Sequence, residues 1–109
     1  MGNNCSYQIG GSTYYGTTPK YKLEIHADVP MSDFDFNVKL ECGDRHITIR
    51  KREMPVGLDG AYYLCFDTRD LGIGRVKAIV TAEIPDTDFS GGIRTEVFAI
   101  NNLLDIKEV

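Results

Sequence analysis

Phe34-Asp35-Phe36-Asn37-Val38-Lys39-Leu40-Glu41-Cys42 carries an apolar side chain at every even position and a polar one at every odd position. A period of two marks a strand with one face buried and the other in water, because successive side chains point to opposite sides. A helix built from the same residues would scatter its apolar groups around the cylinder. The pattern continues outward in both directions. Towards the N-terminus, Tyr21, Leu23, Ile25 and Ala27 alternate with Lys22, Glu24 and His26. Val29-Pro30-Met31-Ser32 separates the two strands, since proline removes a ladder donor. Towards the C-terminus, Gly43-Asp44-Arg45 reads as a tight connection into a strand over His46–Lys51, which makes a hairpin.

The remaining chain follows the same grammar. A loop over 54–60 ends in the Asp59-Gly60 turn signal, and a strand follows over Ala61–Phe66. Thr68 to Gly74 (TRDLGIG) is a glycine-rich loop. Val76, Ala78, Val80, Ala82 and Ile84 then form the strongest alternating run, stopped by Pro85. Asp86 to Gly92 (DTDFSGG) is a polar loop bearing Phe89. A sixth strand spans Thr95–Ile100, and Asn101-Asn102 reads as a two-residue hairpin turn into a seventh over Leu103–Lys107.

About seven antiparallel strands with regularly spaced turn signals, and no amphipathic helix, predict an all-β, immunoglobulin-like sandwich; a small barrel is the competing architecture. Phe36, Val38, Leu40, Val76, Ala78 and Val80 are expected to point into one core, and a chain of 109 residues has room for one domain. Residues 1–19 (MGNNCSYQIGGSTYYGTTP) have almost no aliphatic side chains. They read as a flexible Gly/Tyr-rich arm, leaving 20–109 as the sandwich, so removing 1–19 is expected to leave unfolding nearly unchanged.

No pattern here carries catalysis. His26 and His46 both alternate with aliphatics on strands, and no nucleophile–base grouping, GxSxG, HExxH or phosphate loop occurs. Leu71-Gly72-Ile73-Gly74-Arg75 lacks the third glycine and the following helix that a phosphate loop needs. The chain is therefore read as no enzyme and as holding no cofactor. The acidic pairs Asp33/Asp35 and Asp86/Asp88 read as structural, the second capping its turn through Asx hydrogen bonds rather than ligating calcium. Cys5, Cys42 and Cys65 are an odd count without CxxC spacing, which argues against zinc. Cys42 falls in phase with the core, and a Cys42–Cys65 bridge stays open as a geometric option. A net charge of −4 argues against nucleic acid as a partner, and the basic run Arg45 to Arg52 (RHITIRKR) reads as a solvated strand face.

Three stretches carry a resemblance: Asp33-Phe34-Asp35-Phe36 opening a strand, Asp67 to Arg75 (DTRDLGIGR), and Ile84 to Val97 (IPDTDFSGGIRTEV). Together they resemble small β-sandwich proteins of tailed phages and prophages of gut bacteria. More distantly, they are similar to the N-terminal domain family of phage baseplate upper proteins. The resemblance spans roughly residues 20–107 and rests on turns and strands rather than on any reactive residue. It implies a structural module of a virion tail, baseplate or head fibre, with other virion proteins and further copies of itself as partners. Tyr7, Tyr14 and Tyr15 on the arm, together with Phe89, are the candidate interaction residues, since tyrosine buries a large area while keeping a polar tip. Two other readings remain beside it. One is a bacterial cell-surface adhesion or carbohydrate-binding module displaying Tyr62, Tyr63 and Phe89, although the chain has no Trp for sugar stacking. The other is a membrane-anchored adaptor, because Met1-Gly2-Asn3-Asn4-Cys5-Ser6 fits an N-myristoylation pattern with a cysteine placed for a second acyl chain at Cys5.

Overall fold

A computed structural model of the chain describes residues 11–109 and the backbone of 4–6. Eight strands among these residues form two sheets. In chain order they are β1 (Asn4–Ser6), β2 (Gly11–Tyr14), β3 (Lys20–His26), β4 (Asp35–Cys42), β5 (Arg45–Arg50), β6 (Tyr62–Cys65), β7 (Gly74–Pro85) and β8 (Ile93–Lys107). One sheet has the order β1-β3-β6 and the other β2-β8-β7-β4-β5. Pairing the third strand with the sixth, and setting the seventh between the fourth and the eighth, is the Greek-key arrangement of an immunoglobulin-like sandwich. The segment between β5 and β6 contains a single-turn 3-10 helix, Lys51–Glu53, and otherwise runs as loop.

The strand phase read from alternation holds in register. Phe36, Val38 and Leu40 stand opposite Ala82, Val80 and Ala78, and every one of these side chains is buried. Leu23 and Ile25 of β3 and Leu64 of β6 belong to the same core, so the inner rows of the two sheets share one apolar layer. Small alanines on β7 across from Phe36 and Leu40 let the larger side chains interdigitate, as close packing requires. Cys42 closes the row, and burial pushes its thiol pKa up even though Arg45 pulls the other way. Gly74 approaches it so closely that an added Cβ would lie 3.2 Å from the Cys42 sulfur, at a φ of +139° that side chains rarely adopt. Cys42 and Cys65 are both free thiols, so the bridge left open by the sequence does not form.

The structure corrects the sequence reading at two places. The arm expected over 1–19 contributes strands: β1 pairs antiparallel with β3, and β2 pairs in parallel with the end of β8, Gly11 opposite Leu104 and Tyr14 opposite Lys107. That parallel pair also departs from an all-antiparallel arrangement. Backbone groups make this contact, and they are present in Gly-Ser-Thr-Tyr as in any other sequence, so a lack of aliphatic side chains does not prevent it. The segment after β2 is fixed as well. Thr68 is fully buried; its Oγ accepts from Gly16 N–H at 2.8 Å and donates to Thr17 O at 3.0 Å.

The second correction concerns Asn101-Asn102. Instead of a hairpin turn they lie in a bulge within the single strand β8, which spans what read as two strands. Val76 pairs with Leu104 and Ala78 with Ile100, so β8 spends four steps where β7 spends two. The bulge allows Leu103 and Leu104, adjacent in sequence, both to be buried.

Candidate assembly surface

The β7–β8 hairpin extends past the end of β4. Asp35 pairs with Glu83, and beyond that point only Ile84–Arg94 and Pro85–Ile93 continue the ladder. The loop Asp86–Gly92 closes it by backbone bonds from Asp86 N–H to Gly92 O and from Gly92 N–H to Phe89 O. Asp86 uses both carboxylate oxygens: one accepts from Asp88 N–H at 2.9 Å, forming the expected Asx turn, and the other pairs with Arg94. Arg94 also donates to Glu96 at 3.0 Å, and Thr95 Oγ donates across the hairpin to Glu83 at 2.7 Å. These side-chain bonds hold the tip in one arrangement.

Arg94 and Glu96 take inward positions on β8, in the phase of Phe98 and Ile100. The opposite phase places Ile93, Thr95, Val97 and Ala99 on the outer face, beside Pro85, Glu83, Thr81 and Ile79 of β7. Ile93 and Val97 are 51% and 60% exposed, and Phe89 at the loop is 48% exposed. Among the described residues, no strand pairs with β8 over 93–102 on the side away from β7. The hairpin thus presents exposed β-branched side chains on its outer face, with Phe89 displayed at the adjoining loop. An exposed apolar row of this kind can be covered by another chain.

The structure does not gather the candidate interaction residues into one site. Tyr14 and Tyr15 are exposed at the end of β2, where Tyr15 N–H donates to Lys107 O at 2.8 Å. Lys107 lies at the far end of β8 from Ile93, and Gly74 to Pro85 runs between the two ends. Twelve strand residues put Phe89 and the tyrosines about 35 Å apart at the usual strand rise. Tyr7 lies outside the described residues, as do Gly2 and the side chain of Cys5. Tyr62 and Tyr63 point to opposite faces of β6: Tyr62 packs edge-on against Phe36 at 5.2 Å, while Lys20 sits over the Tyr63 ring at 4.6 Å. With Phe89, they form no shared stacking platform.

The strand over 95–100 is legible in the sequence, but its exposed row is not. The available signal was the polar pair Arg94 and Glu96 in the phase of Phe98 and Ile100, which marks where the core ends along β8. His26 and His46 are exposed on different sheets, and the structure does not bring them together. In comparisons with known proteins, no family model and no curated relative matches the chain.

Proposed function

We propose that the chain is a non-enzymatic structural module of a tailed-phage or prophage particle, acting by docking into a larger assembly through the β7–β8 hairpin. The observation that carries the reading is the exposed row of Ile93 and Val97 on the outer face of the hairpin, with Phe89 exposed at its loop. The resemblance over residues 20–107 supplies the virion as the setting. An immunoglobulin-like sandwich suits this role because its core holds strands rigidly while its edges and end loops remain available for partners. Weak individual contacts suffice when the particle repeats them symmetrically. Partners are therefore other virion proteins and further copies of the chain.

The test is incorporation. Particles are purified from cells producing either the unaltered protein or the double variant Ile93→Lys, Val97→Lys, whose solubility and unfolding midpoint are checked first. The reading expects a fixed copy number per particle for the unaltered protein and loss of incorporation for the folded double variant. Absence of the unaltered protein from every particle, with recovery on a bacterial surface instead, contradicts the virion setting and favours the adhesion module. Normal incorporation of the double variant contradicts the hairpin as the contact.

A further inference from the structure

We propose that a groove on the opposite margin of the five-stranded sheet, at the end of β5, binds a carboxylated sugar residue of the hexuronate type. The groove has a volume of about 450 Å³, within the usual range for a small-ligand site. It is lined by Asp35, Phe36 and Asn37 of β4, by the end of β5 and the turn that follows, and by Tyr62 of β6. This site is separate from the exposed row on β8, so both can be occupied together.

Its charge runs against the rest of the molecule. Arg50, Lys51 and Arg52 line it with a single carboxylate, Asp35, in a chain whose net charge is −4. These cations differ in their commitments. The Lys51 ammonium is held within the fold, donating to Phe34 O at 2.7 Å and Ser32 O at 3.1 Å and lying over the rings of Phe36 and Tyr62. By contrast, neither the Arg50 nor the Arg52 guanidinium has a carboxylate partner within ion-pair distance among the described residues. Nearby Glu53 accepts from the Arg50 backbone N–H at 2.9 Å. Two guanidiniums with no carboxylate in ion-pair reach among the described residues, beside a fixed ammonium, form a site for an anion, and the planar fork of arginine matches a carboxylate with two parallel bonds.

The other walls select what the anion is attached to. Asn37 stands directly across from Arg50 in the β4–β5 ladder, on the same face as Asp35. Its amide both donates and accepts, which suits hydroxyl groups. Asp35 has one oxygen turned to Phe36 N–H at 3.0 Å, and its other oxygen can accept from a hydroxyl. Its negative charge weighs against a doubly charged phosphate more than against a singly charged carboxylate. Tyr62 and the 57%-exposed Val56 supply an apolar wall for the C–H face of a ring. A carboxylate, several hydroxyls and one apolar face on a compact ring describe an acidic pyranose. The basic run Arg45 to Arg52 thus divides: Arg45 lies at the far end of β5, and the groove is built from its last three residues.

The experiment titrates the 15N-labelled full chain with trigalacturonate, and in parallel with neutral galactotriose, a triglutamate peptide and inorganic phosphate. The variants are Arg50→Ala/Arg52→Ala and, as a charge control away from the groove, Arg45→Ala, each first shown to keep a dispersed amide spectrum. The expected result is saturable shifts centred on residues 35–37 and 50–62 with trigalacturonate alone. Removing both groove arginines is expected to weaken binding about tenfold or more, the scale of lost charge-assisted bonds, with Arg45→Ala close to the unaltered protein. Absence of saturable shifts, equal binding of the neutral trisaccharide, or an equal loss with Arg45→Ala overturns the proposal. Equal or tighter binding of triglutamate or phosphate in the groove overturns the assignment to a sugar.

Discussion

Thr68 shows how much one polar side chain holds in this molecule. Among the described residues it is the one buried polar side chain in an apolar core, and its hydroxyl satisfies a donor and an acceptor in the segment that follows β2. Nothing in the sequence marks it, because DTRDLG reads as an ordinary loop and its partners lie 51 and 52 residues away. Thr68→Val keeps the shape and removes the hydroxyl, leaving Gly16 N–H without its acceptor. A buried donor left unpaired costs about 1–3 kcal/mol, so the variant is expected to unfold at lower denaturant with an unchanged slope. A midpoint equal to that of the unaltered protein would mean that water satisfies Gly16 and that the contact contributes little.

At the level of elements, legibility followed side-chain periodicity. β3, β4, β5, β6 and β7 are readable because each turns one face to the core, half-buried in β5, and such a face leaves a period of two in the sequence. β2 leaves no such trace, since it is held by backbone bonds and by Thr68 rather than by an apolar row. The bulge in β8 is hidden for a different reason: Asn-Asn suits a turn because it tolerates a positive φ, but neither asparagine adopts one here, and only the pairing with β7 decides the outcome. The docking of β2 reverses one expectation. Deleting residues 1–19 removes two paired strands and the Thr68 contacts, and exposes the edge of β8 at Leu104–Lys107. The truncated chain is expected to melt several degrees lower, since about 1 kcal/mol corresponds to roughly 4–8 °C in a domain of this size. An unchanged midpoint in a scanning calorimeter would show that β1 and β2 are dispensable to the fold.

For the whole molecule, the sandwich and its core are legible, whereas the surfaces proposed for docking are not. Core positions are constrained by packing, and packing writes alternation into sequence. An edge is defined by which strand lies next to which, and that is a property of topology. Phe89 illustrates the limit: its exposure in a polar loop could be read, but its distance from Tyr14 and Tyr15 depends on the length of β7. The same topology separates the exposed row on β8 from the basic groove beside β5, on opposite sides of one five-stranded sheet. A module built this way can hold an assembly on one side and meet a ligand on the other.

The central claim is that the β7–β8 hairpin, with Ile93, Val97 and Phe89 exposed in the free chain, is covered in the assembly. Residue-resolved amide hydrogen exchange tests it directly. The amides of the loop Asp86–Gly92 are expected to exchange quickly in the isolated protein, while those of β7 paired with both β4 and β8 exchange slowly. On incorporation into particles, the fast set is expected to slow by about tenfold or more as a partner covers the hairpin. Equally fast exchange of those same amides in fully incorporated protein would contradict the account.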